Sequence, residues 1–121
     1  MAENPPTTTA AETTDARARL IELAGLLRGA RHLSDEDRRE LADLVAELAS
    51  TIDPAAPSPH AAHLAEAAAH LVQALHERHD AGPLAAARRR LEEATALAEA
   101  RAPVATGLAR RLIDTLADIG I

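Results

Sequence analysis

The chain contains no phenylalanine, tyrosine or tryptophan in its 121 residues. Aromatic side chains normally supply the largest single burials, on the order of 150–250 Å² each. A core here must be built from Leu, Ile, Val and Ala, so stability has to come from close helix–helix approach, from surface buried in an oligomer, or from both. Cysteine is also absent, which excludes disulfides, thiolate metal ligands and a thiol nucleophile. Lysine is missing as well, and every basic residue is arginine. The formal charge of −6 argues against nucleic acid or an anionic membrane as the main partner. No apolar run is long enough to span a bilayer. The first residues lack the basic start and hydrophobic stretch of a signal peptide, which makes the cytoplasm the expected compartment.

What is present is helical punctuation. Residues 1–13 hold two prolines, a threonine run and nothing to bury, and read as a disordered tail. A single helical domain is expected over 14–121. Its first part, 14–53, reads as a helical hairpin. Thr14 or Asp15 caps helix one, whose apolar face is Ala16, Leu20, Leu23, Leu27 and Ala30, broadened by Ile21 and Leu26. So wide a face implies more than one neighbour. Ser34 caps helix two, with Asp35, Glu36 and Asp37 over its N-terminal dipole and Leu41, Leu44, Val45, Leu48 and Ile52 as its buried stripe. Asp53 to Pro57 then reads as a stiff linker.

Ser58-Pro59 opens a third helix, about 59–80, with Leu64, Ala68, Leu71, Val72 and Leu75 on its apolar face. Gly82-Pro83 breaks it. Helix four runs on to about Ala102 with a stripe of Leu84, Ala87, Leu91, Ala94 and Ala98, and Leu97 alongside. The chain ends in a fifth segment. Pro103 suits a first helical turn, and Val104, Leu108, Leu112, Leu116 and Ile119 recur at helical spacing. Arg110 can pair with Asp114 one turn on. Gly120 fits the left-handed position past a helix end, which would fold Ile121 back on Leu116.

That ending, Leu116-Ala117-Asp118-Ile119-Gly120-Ile121 behind Pro103, resembles the tail of the DUF4404 family of small bacterial proteins of unknown function. The family usually has Phe-Glu and then a His-Pro pair before this helix. Glu99 keeps the acid, while Ala98 stands in place of the aromatic and Ala102 in place of the histidine. Arg17 to Ile52 is similar to the family's N-terminal hairpin. Residues 54–83 have no clear counterpart and read as an inserted, His-rich helix, followed by a C-terminal hairpin over 84–121. The resemblance implies a helical fold and brings no functional residues with it.

Five of the six histidines lie between residues 60 and 79: His60, His63, His70, His76 and His79. On a helix, His63, Glu66, His70 and Glu77 share one side, at separations of three, four and seven residues. Imidazole and carboxylate at such spacing can bind zinc or another divalent ion, with His63, Glu66 and His70 as the candidate metal ligands. The competing reading is a solvated helix face on which histidine is one more polar residue. Clustered imidazoles would also charge together in acid, which would make an interface pH-sensitive. His79 falls nearer the apolar face. The one basic run, Arg88-Arg89-Arg90, can pair with Glu92 and Glu93, which makes it a salt-bridged surface. No phosphate loop, nucleophile elbow or buried acid pair is recognisable, so no catalytic residue is assigned and an enzyme is not expected.

The expected fold is all-α, with four to five helices in antiparallel hairpins forming an up-and-down bundle. The expected role is a non-enzymatic interaction or structural protein acting through helix–helix self-association, as a homo-oligomer or with a helical partner. Leu/Ala stripes pack readily on copies of themselves. The alternative is a metal-binding helical protein that uses the third helix.

Overall fold

Five helices follow one another, with no strand among the described residues: α1 (Pro5–Arg28), α2 (Asp35–Ser50), α3 (Pro59–His76), α4 (Ala81–Ala98) and α5 (Pro103–Ile119). This computed structural model describes residues 5–31, 33–53, 55–56, 58–77 and 81–119. The all-α fold expected from the sequence is therefore the fold observed.

Local signals place most of the helix ends. Ser34 sits in extended backbone, and its Oγ accepts the Asp37 backbone N–H at 3.1 Å, with three acids in the turn that follows. Both features complement unpaired donors at a helix start. Ser58 repeats the arrangement, accepting from the Ala61 N–H at 3.3 Å, with Pro59 in the first turn. Arg38 pairs with Asp35 and also donates to the Ala30 carbonyl at 3.3 Å, tying α2 back to the turn that precedes it.

The apolar stripes meet inside one chain. α1 packs along both α2 and α3, α3 packs along α4, and α5 lies against α2 and α4 with a smaller contact on α3. Two hairpins thus stand side by side through α1 and α3, with α5 closing the far side. Leu20, Leu27, Leu41, Leu48, Ile52, Leu64, Leu71, Leu91, Leu112 and Leu116 are among the fully buried side chains. These are the stripes that composition offered for pairing with copies of the chain, and the bundle uses them itself. No helix among the described residues is long and apolar enough to cross a membrane.

Several expectations meet a different structure. The tail expected over 1–13 is already helical from Pro5, and Thr13 is buried. Pro5 and Pro6 are compatible with a first turn for the reason that applies at Pro59 and Pro103. Ile21 and Leu26 do not broaden the buried face of α1; they remain 54% and 42% exposed. α1 reaches its two neighbours through Leu20, Leu23, Ala24 and Leu27 instead. Leu97 and Val104, each placed with an apolar stripe, are both 66% exposed. Ala105 and Ala109 take the buried positions that the α5 stripe assigned to larger side chains. Arg110 reaches back to Glu99 across the α4–α5 turn, at 2.9 and 3.5 Å, rather than forward to Asp114. The cap proposed at Gly120 and Ile121 lies outside the described residues, as do His79 and His32.

The largest difference concerns α3. Residues 54–83 read as an insertion, yet α3 is the helix the others surround. Ten of its 18 residues are buried, six of them alanine. Small side chains let neighbouring backbones approach from several directions, which suits a helix with contacts to all four others.

Candidate functional site

Because α3 is covered on most sides, only one narrow strip of it reaches solvent. Pro59, His63, Glu66 and His70 are exposed on that strip, Gln73 is half-buried, and Glu77 follows at the helix end. The separations alternate between three and four residues, as a single helical face requires. The strip lies between α1 on one side and α4 on the other.

Two open depressions follow it. The larger, about 740 Å³, is lined from α1 by Asp15, Ala18, Arg19, Glu22, Leu23 and Leu26, and from the end of α3 by Gln73, His76 and Glu77. The smaller, about 260 Å³, brings Asp15, Ala16 and Arg19 of α1 to Glu66 and His70 of α3 and Arg90 of α4. Arg19 Nη2 donates to Gln73 Oε1, and Gln73 Nε2 donates in turn to Glu77 Oε2 at 3.1 Å. The amide thus relays between a cation on α1 and an anion at the end of α3. His76 is half-buried, and its Nδ1 is enclosed without a hydrogen-bond partner.

The candidate metal ligands divide. Glu66 and His70 reach one depression together, while His63 stands outside it on the same exposed strip. Among the described residues, no group of three or more His, Asp or Glu side chains is placed to hold a metal ion. The two guanidinium groups beside Glu66 and His70 add positive charge where a cation would sit. The basic run is likewise split: Arg88 is half-buried, Arg89 is exposed, and Arg90 turns toward α3. The residues that sequence reasoning missed are Asp15, Arg19 and Gln73. Their meeting depends on α1 lying along α3, a non-local fact with no spacing signal in the chain. The arrangement places both signs of charge along the α3 strip, with the exposed Leu26 in the larger depression.

Glu99 and Ala102, at the positions the family resemblance singled out, have structural roles. Glu99 forms the two-point pair with Arg110. The Ala102 carbonyl accepts the Thr106 N–H at 2.9 Å, closing the first turn of α5. Ala98 is buried against the bundle.

The model of a domain of unknown function, DUF4404, matches residues 38–121, and the chain belongs to that family. The matched span takes in α3 and leaves out α1. No curated protein and no solved structure matches the chain.

Proposed function

We propose that this DUF4404 member is a non-enzymatic interaction protein that works by helix–helix self-association. The carrying observation is the aliphatic surface left over once the core has closed. Leu26 on α1 and Leu97 on α4 stand out into solvent, as do Ile21 on α1 and Val104 on α5, while most of the other Leu, Ile and Val side chains are buried. Single exposed apolar residues are ordinary. Large ones are less expected in a chain with no aromatics, where each buried leucine supplies a sizeable part of the core. Removing such a side chain from water on association contributes roughly 25 cal/mol per Å².

Light scattering on a sizing column at neutral pH, across a range of protein concentrations, tests the reading. A species near twice the 12.7 kDa chain mass is expected. A single-chain mass at every concentration would overturn it.

A further inference from the structure

α1 and α4 carry the same short pattern. In α1 it runs Ala16-Arg17-Ala18-Arg19-Leu20-Ile21-Glu22-Leu23-Ala24-Gly25-Leu26, and in α4 Ala87-Arg88-Arg89-Arg90-Leu91-Glu92-Glu93-Ala94-Thr95-Ala96-Leu97. Both read Ala-Arg-x-Arg-Leu-x-Glu-x-x-x-Leu. The burial matches as well. Ala16 and Ala87, and Leu20 and Leu91, are buried at corresponding positions, while Leu26 and Leu97 are exposed. Arg19 and Arg90, also at corresponding positions, line one depression over α3.

The two helices run in opposite directions beside α3. Asp15 and Arg19 meet Glu66 and His70, while Leu26 shares a depression with His76 and Glu77, so α1 ascends with α3. α4 returns from α3 through a short connection and descends. Leu26 lies one heptad beyond Arg19, and Leu97 one heptad beyond Arg90, each about 10.5 Å along its helix and on nearly the same side. The leucines therefore fall at diagonally opposite corners of one face. Between them stand charges of both signs, with Arg19 and Arg90 among Asp15 and Glu66. Arg19 and Arg90, and Leu26 and Leu97, thus hold corresponding positions on two antiparallel helices either side of the α3 strip.

We infer that this face, made by α1, the exposed strip of α3 and α4, is where two copies of the chain meet about a two-fold axis. The inference rests on the self-association reading and adds the surface. An isologous contact needs one patch that complements itself. This patch does so twice over, since each half offers an exposed leucine, and the central arginines can face the central acids of the other copy. Its extent is of the right order. α3 has 18 residues, about 27 Å of helix, and two interhelical spacings of about 8–10 Å give the width. That is roughly 500 Å² in plan before side-chain relief is counted, against about 800 Å² of accessible surface per partner in a standard interface. Ile21 lies outside the face, on the flank of α1 where Arg28 pairs with Asp43 of α2 at 3.2 Å.

The test measures the dimer mass of the intact chain and of the double variant Leu26→Glu, Leu97→Glu, with Ile21→Glu as control. Both replaced leucines are exposed, and far-UV circular dichroism checks that helix content is kept. The double variant is expected to weaken the dimer by at least about 100-fold, because truncated anchors dominate interface energetics, while Ile21→Glu leaves it unchanged. A second measurement uses the absence of cysteine. His70→Cys supplies the only thiol, at the centre of the face between α1 and α4, and should give a disulfide-linked dimer under mild oxidation in the wild-type background but not beside the glutamates. A dimer that survives the double variant, or one that His70→Cys does not cross-link, overturns this face and leaves self-association standing. A wild-type chain that is monomeric overturns both.

Discussion

Leu71→Ala tests whether α3 is the centre of the bundle or an appendage to it. Leu71 is fully buried, with Ala67 and Ala68 one turn before it and Ala74 and Leu75 one turn after, all buried. Truncating a buried leucine removes its transfer free energy and leaves a cavity, at about 3–5 kcal/mol in a core that cannot collapse. Leu71 belongs to one cluster with other fully buried leucines, such as Leu20, Leu64 and Leu91, whose positions are fixed by their own packing, so the loss should be about 3 kcal/mol or more. A chain of 121 residues has a stability on the order of 6–18 kcal/mol at about 0.05–0.15 kcal/mol per residue. One methyl-rich side chain on α3 would then carry a substantial fraction of the fold. The melting temperature should fall by about 10 °C or more, taking roughly 4 °C per kcal/mol at this size.

The assay has to be far-UV circular dichroism in urea, because a chain without aromatics has no intrinsic fluorescence to follow. Protein concentration is held fixed so that any association contributes equally. A shifted midpoint with an unchanged slope is expected, since the surface exposed on unfolding stays the same. Ile21→Ala is the control. Ile21 is exposed and alanine has the higher helix propensity, so the change should stay within about 0.5 kcal/mol. A cost below about 1 kcal/mol for Leu71→Ala, or a separate early transition for α3, would refute the central placement.

Gly25 and Gly107 lie within helices, and an added Cβ would meet nothing within 4 Å at either position. Gly25→Ala and Gly107→Ala should therefore each stabilise by roughly 0.5–1 kcal/mol, read as a higher urea midpoint; destabilisation at either would show a contact there. Ser34→Ala removes the acceptor for the Asp37 N–H and should cost about 1 kcal/mol, whereas Ser34→Gly should cost only a few tenths. Zinc added in a calorimeter at micromolar protein should give no binding heat, because no group of three or more His, Asp or Glu side chains among the described residues is placed to hold the ion; a saturable signal lost in His70→Ala would contradict that.

The parts of this fold that were legible in the sequence are those set by short-range chemistry. A hydroxyl before a proline or an acidic turn satisfies unpaired helix donors, so Ser34, Ser58 and Pro103 mark helix starts wherever the helices later pack. Aliphatic side chains at helical spacing likewise place the buried face of α2: Leu41, Leu44, Val45 and Leu48 are in the core, as is Ile52 just past the helix end. Alanine carries no such information. It is at home on a buried face and on an exposed one, so the alanines at 62, 65, 67, 68, 69 and 74 could not show that α3 is enclosed on most sides. The same ambiguity works in reverse on α5, where Ala105 and Ala109 are buried and Val104 is left outside.

The histidine pattern then follows from the enclosure of α3. A helix surrounded by four others has one strip left for polar side chains, and any residues on one strip of a helix must recur at three and four. His63, Glu66, His70 and Gln73 keep that spacing because they occupy the solvent strip, whether or not they act together. The spacing that pointed to metal chemistry is thus accounted for by packing alone, and it selects no ligand. What packing does not require is a leucine at each far corner of the same strip, on helices running in opposite directions and in the same sequence context. A solvent-facing position one heptad from Arg19 or from Arg90 would serve the bundle equally well with Glu or Gln. Leu26 and Leu97 are therefore the residues on this face whose identity the fold leaves unexplained, and contact with another copy is what would explain them.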